Sequence, residues 1–463
     1  MTPFRKCCLH LCHILFLIVA FTNQAAGQSS SFTPTAEDNN LLKKLFERYE
    51  ASYKQSLSTL PSANKTDFER IYKERWENIK EKFDKKEIYT NSTAQKWLDG
   101  LVEEIIQSNP ILKGQSFQCY FSRSGIPNAS FIGEGIILIN MGLFHRLNDE
   151  SQAAFVVSHE IAHFILKHSD NAIKRYVTAI NSKEVQEELR TIKGSEYRKR
   201  ERLEKLVKGL SFSTLRHSRD RENEADSFAV ELLRNTRFDV SGALTTLALL
   251  DTIDTDQLNT AACLEKLFNA KGYPFKKKWI AKEEGLLGGH ATLSEDEEME
   301  DSLKTHPDCS SRIKAIDPMV KRYARASGSK KTANSPVFEE LKNIFPYEII
   351  AYTYASDNYT RCLYFTIELL EEKPNDPYLI AQVGKLFNSF FAAQKSHTLG
   401  KFINLPSPDY RPGYNLLLQF IQNLNIEEYA SISYHFLKQY ETQLSNYEPF
   451  KKAYSNSIQI AQQ

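Results

Sequence analysis

The chain has 463 residues, of which 41% are hydrophobic and 11% aromatic, which is ample for a buried core and excludes a disordered or low-complexity protein. Its 59 Lys and Arg are balanced by 58 Asp and Glu, so no basic field exists to hold a nucleic acid by counterion release, and no nucleic-acid partner is expected. Length alone favours two or three domains.

The first 27 residues stand apart: Arg5 and Lys6 precede an apolar run from Leu9 to Phe21, and Ala25, Ala26 and Gly27 supply the small residues of a cleavage site. Residues 1–27 read as a signal peptide rather than an anchor, because the run is shorter than the ~20 residues of a spanning helix. No later stretch is apolar enough to span a membrane, so the mature chain is expected to be extracytoplasmic, periplasmic or secreted, without a transmembrane segment. Beyond the leader, Cys119, Cys263, Cys309 and Cys362 are far apart and form no CxxC pair. They suit neither a zinc knuckle nor a thioredoxin-like site, and spacing leaves one or two disulfides possible.

A mainly α protein with a small β-sheet (α+β) is predicted. Charged, helically periodic segments fill 35–112, with Leu42, Leu45, Phe46 and Tyr49 on one side. Short β-branched or aromatic runs at 116–122 and 135–140, separated by Gly125, Pro127, Asn128 and Gly133, predict a small hairpin-like sheet. The 135–140 strand is the candidate edge onto which an extended substrate adds. A helix then runs from an Asp149 cap through His168, with Gln152 answering the cap. Residues 170–217 are helical and charged, and the basic run 198–208 is a solvated face. A helix opening near Asp220 carries Ala225, Phe228, Ala229 and Leu232 inward. A first domain is assigned to 28–323, with its core at 116–318. Residues 324–336 read as a linker, and 337–463 as a helical domain, either a tetratricopeptide-like repeat or an irregular cap.

The sharpest chemical signal is His159-Glu160-Ile161-Ala162-His163. Two histidines four apart on a helix project from one face and offer two nitrogens to one Zn²⁺, with Glu160 beside the metal and its water. A catalytic zinc needs a third protein ligand. Leu166 and Ser169 stand where a metzincin needs Gly and His, which excludes that class. Glu222 and Asp226, four apart in Glu222-Asn223-Glu224-Ala225-Asp226, supply the alternative: Glu222 as ligand, Asp226 as acceptor from a ligand histidine's free N–H. Glu224 is the weaker candidate. His290, in the glycine-rich stretch 285–290, is a possible regulatory ligand on a lid, able to fill the open coordination position.

With Thr305-His306-Pro307 and Arg312-Ile313 added, three ordered motifs over roughly 116–318 make the sequence resemble the HtpX/BepA-type gluzincin metallopeptidases. The resemblance implies a zincin core with one Zn²⁺ per chain, held by His159, His163 and Glu222. It also implies Glu160 as catalytic base, His306 beside the cleft steadying the developing oxyanion, and Arg312 in support. The absence of membrane helices fits the soluble periplasmic branch, which carries a helical repeat domain. The expected activity is zinc-dependent endopeptidase action on unfolded or misassembled extracytoplasmic proteins, with the C-terminal helices recruiting substrates or partners. The alternative is a metal-binding chaperone or assembly factor in which proteolysis is silent or gated.

Overall fold

A run of three helices opens the fold: α1 (Asn39–Ser58), α2 (Lys65–Asp84) and α3 (Ser92–Ser108). The computed structural model describes residues 32–195, 219–253, 255, 258–281, 309–327, 333–408 and 410–462. Pro34–Gln463 is a single compact unit, separate from Met1–Thr33. Three strands follow, β1 (Gln118–Ser122), β2 (Ala129–Gly133) and β3 (Ile136–Asn140), in the spatial order β1-β3-β2.

Burial explains why β3 reads as an unbroken apolar run. Ile137 and Ile139 point with Cys119 and Phe121 of β1 into the main core, while Ile136 and Leu138 point with Tyr120 into a second core built by α1 and α2. A strand covered on both faces has no reason to alternate. The expected edge is therefore corrected: β3 is central, pairing in parallel with β1 and antiparallel with β2. The hairpin joins β2 to β3, and β2, missed in the sequence, lies at one edge with β1 at the other. Its turn runs through Gly133, Glu134 and Gly135 with φ of 108°, 51° and 78°, which glycine adopts without strain. The Glu134 carboxylate fixes this turn to the N-terminal helices, accepting from Arg75 Nη2 at 2.8 Å and from the Ser56 and Ser52 hydroxyls at 2.9 and 3.2 Å.

The short α4 (Met141–Phe144) leads to α5 (Glu150–Ile165). This helix stops before the predicted end. Lys167 takes a left-handed φ of 54°, and a new helix α6 (His168–Ile180) starts at the next residue, followed by α7 (Lys183–Gly194). After them come the helix over 219–234 (α8), α9 (Gly242–Thr252), α10 (Thr260–Phe268) and α11 (Cys309–Ser327). The basic run 198–208 lies outside the described residues. Ala225, Ala229 and Leu232 of α8 are buried, and Phe228 packs beside the same core.

The C-terminal part is helical throughout its described regular elements apart from a short 3₁₀ turn: α12 (Pro336–Ala355), α13 (Tyr359–Glu372), α14 (Pro377–Lys395), α15 (Pro412–Gln422), α16 (Ile426–Lys438) and α17 (Glu448–Ala461). Asn358, Asp376 and Asn425 cap α13, α14 and α16, so these Asn and Pro breaks in the sequence are helix starts. Positions 324–327, expected as linker, are helical, and the Ser335 hydroxyl and backbone N–H both reach Glu150 Oε1 at the start of α5. Phe338, Leu341 and Phe345 of α12 share the main core with Phe121 and Phe144. Cys119, Cys263, Cys309 and Cys362 are all free and buried, so none forms the disulfides that their spacing allowed. Among the described residues no helix is long and apolar enough to cross a membrane.

Gly142 shows how tightly the approach to β2 is packed. Its N–H donates to Ser124 O at 3.0 Å, and a Cβ there would lie 2.2 Å from the Gly125 carbonyl oxygen. Backbone on both sides cannot yield as a side-chain tip can, so Gly142→Ala is expected to cost about 1–3 kcal/mol through overpacking. An unchanged urea midpoint would contradict this packing.

Candidate metal and active site

The helix α5 is set by its cap and by burial. Asp149 accepts from Gln152 N at 2.9 Å, and Gln152 Oε1 in turn accepts from Asn148 N at 2.7 Å, one residue before the cap. From Glu150 to Ala162 every residue except His159 is buried. His159 and His163, one turn apart, therefore share the side that opens on a cleft of about 360 Å³. Asn128, Ala129, Ser130 and Phe131 at β2 form one wall, and Thr246, Leu250 and Arg312 lie on other sides.

Packed across from α5, α8 delivers Glu222 and Asp226 from one face. The Nε2 atoms of His159 and His163 are 3.0 Å apart, and each lies 3.4 Å from one Glu222 carboxylate oxygen. Four ligands around a tetrahedral Zn²⁺ at ~2.0–2.1 Å are separated by roughly 3.3 Å, so these three donors have the spacing that such an ion requires. Two imidazole nitrogens and one carboxylate are also the donor types of a catalytic zinc site. His159, His163 and Glu222 are the cluster that can hold a metal.

Charge favours a cation at the same point. Arg312 is buried and forks onto Asp226, Nε to Oδ2 at 2.7 Å and Nη2 to Oδ1 at 2.8 Å. Its third nitrogen, Nη1, lies 3.2 Å from Glu222 Oε2 without hydrogen-bond alignment. Asp226 Oδ1 lies 2.9 Å from His159 Nδ1, off the line of the ring N–H, as a charge contact rather than a straight hydrogen bond. Burial opposes ionisation of both carboxylates, yet His159, His163 and Arg312 hold Glu222 well below its ordinary range, and Arg312 and His159 hold Asp226 below its own. For His159 burial acts downward, but Asp226 and Glu222 outweigh it and raise the imidazole to about 10. Without a metal, a proton on His159 occupies the electrostatic place of the cation.

Glu160 turns toward the sheet. It is buried, and its Oε2 accepts from Phe131 N of β2 at 2.9 Å. The structure thus brings His159, Glu160, His163, Glu222 and Arg312 around one cleft, with Asp226 behind His159. His290 and His306 lie outside the described residues. Sequence reasoning gave His168 no role and kept Glu224 only as the weaker candidate ligand; the two form a second line of contacts behind His163. His168 is five residues past His163, a step that on an unbroken helix points roughly 140° away. The turn that brings it back is made by Lys167, a residue type that carries no signal for left-handed backbone.

Asp226 and Arg312 are both almost fully buried, so Asp226→Asn removes the charge that the guanidinium fork engages and leaves Arg312 only its unaligned contact with Glu222. A loss of about 3–5 kcal/mol is expected in chemical denaturation of the metal-free protein. A change under 1 kcal/mol would remove the pair from its central place.

No curated protein matches the chain. Residues 92–320 match the model of peptidase family M48, beginning at the first residue of α3 and ending within α11, and this stretch holds every described residue of the cleft. Over 92–320 the chain is therefore similar to the metallopeptidases of family M48.

Proposed function

We propose that the protein is an extracytoplasmic zinc endopeptidase acting on unfolded or misassembled polypeptides, with one Zn²⁺ held by His159, His163 and Glu222. The single observation that carries this reading is the convergence of those three donors at 3.0–3.4 Å. Bound there, zinc supplies Lewis acidity that polarises a scissile carbonyl and makes water a competent nucleophile near neutral pH. Glu160 is the general base and then the general acid: it takes a proton from the attacking water and passes it to the leaving amine. Its Oε2 is engaged by the Phe131 N–H, so the transfer falls to Oε1. Asp226 keeps the His159 Nε2 lone pair directed at the metal by drawing the ring proton to Nδ1, and Arg312 keeps Asp226 ionised.

The preference for unfolded chains rests on β2. As an outer strand of the sheet it has backbone groups that β3 does not use, and it borders the cleft beside Glu160. A polypeptide must be extended to add to such an edge, which a folded segment cannot do without opening. The signal-peptide reading of residues 1–27 supports an extracytoplasmic location. His306 remains the candidate for steadying the oxyanion, His290 the candidate regulatory ligand, and the C-terminal helices the candidate surface for substrates or partners.

The test uses the mature chain with unfolded casein. Wild-type protein should cleave it. Chelation and Glu160→Gln should each abolish cleavage, the variant by 10²-fold or more, while the variant still binds one equivalent of zinc. Client holding without any cleavage by the wild type would replace the enzyme by the chaperone reading.

A further inference from the structure

The two metal-facing histidines are backed very differently. Behind His159 stands a buried, ion-paired carboxylate. Behind His163 stands another imidazole: His168 Nδ1 lies 2.9 Å from His163 Nδ1, with the rings nearly perpendicular at 78° and their centres 4.8 Å apart. The second nitrogen of His168, Nε2, lies 3.2 Å from Glu224 Oε2, whose side chain is 60% exposed. The backbone of His168 is pinned as well, its carbonyl accepting from Arg221 Nη1 at 3.3 Å. His168 itself is buried.

Proton counting leaves one arrangement that satisfies all these contacts. The Nε2 of His163 faces Glu222 and must present a lone pair if it is to bind a cation, so its proton sits on Nδ1. Among the described residues the atom found against that N–H is His168 Nδ1, which must then be the acceptor and carry no proton. The His168 proton is thereby placed on Nε2, where the Glu224 carboxylate receives it. The chain His163–His168–Glu224 has a fixed direction, and each member sets the tautomer of the one before it.

We propose that His168, oriented by Glu224, is a positioning residue that locks His163 in its metal-binding tautomer and ring orientation. This rests on reading His163 as a metal ligand. His168 touches neither metal nor substrate in this arrangement, and its effect is on how tightly and in what geometry the ion is held. Loss of such a partner typically weakens metal binding by about 10–100-fold.

The experiment measures Zn²⁺ affinity of the mature chain by chelator competition, together with the visible absorption spectrum of the Co²⁺-loaded protein. His168→Phe keeps the ring volume and removes the acceptor, and it should weaken zinc binding by about tenfold or more and alter the cobalt bands. His168→Gln retains an acceptor oxygen and should recover most of the affinity, which a purely space-filling role would not allow. Glu224→Gln, at an exposed position, should shift affinity the same way by less, and it keeps the test open if His168→Phe does not fold. Zinc binding and cobalt spectra unchanged in His168→Phe, or in Glu224→Gln if that is the only variant that folds, would overturn the proposal while leaving the site reading intact. Wild-type protein that binds no zinc would remove the site reading itself.

Discussion

One guanidinium holds the site together. Arg312, on α11, is buried against two carboxylates from α8, and one of those carboxylates touches a histidine of α5. Three helices distant in sequence are thus joined through largely buried charges, of which Asp226 and Arg312 are the most enclosed. The balance is also incomplete. Within the cluster around His159, Glu222 and Asp226 bring two negative charges and Arg312 returns one, so these three side chains leave one negative charge over. That excess is what raises His159, and it is what a divalent ion relieves while releasing the proton. The same ion pair that stabilises the fold therefore sets the affinity of the site for a cation.

The second constraint is the position of the sheet. Because β1 and β3 are covered on both faces, the sheet serves as a wall between the helices that line the cleft and the N-terminal pair, and β2 has one side that pairs with no strand. That side is placed by contacts at its two ends. At one end, Arg75 and the two serines of α1 grip Glu134 in the turn, and at the other the close crossing of Gly125 and Gly142 fixes the entry to the strand. Between them Phe131 N–H ties the strand to Glu160. The N-terminal helices lie outside the residues matched by the family model, yet they determine where the edge stands relative to the carboxylate.

How legible this was depended on how local each signal was. His159 with His163, and Glu222 with Asp226, are four apart on helices that their own apolar spacing specifies, so both pairs could be read before any tertiary contact was known. The pairing of strands could not. The β2 segment Ala129–Gly133 contains small residues and a glycine, lacks the apolar density of β3, and owes its place to the Glu134 clamp rather than to propensity. Parallel pairing of β1 with β3 likewise depends on a strand inserted later in space than in sequence. The end of α5 escaped because Lys167 adopts a backbone conformation that its side chain does not favour, and the role of His168 escaped with it. The start of α12 was hidden differently: Asn334 and Ser335 look like linker residues, and only the structure shows them bonded to Glu150 at the base of α5.

The four buried thiols have a consequence for how the chain can fold. Burial pushes the Cys119 thiol up beyond the usual range, and burial, with Glu371 adding to it at Cys263, takes Cys263 and Cys362 to about 12. At these three thiols very little thiolate exists at neutral pH, so oxidants find little to attack there. Closing the described core thus asks for no pairing among these four thiols.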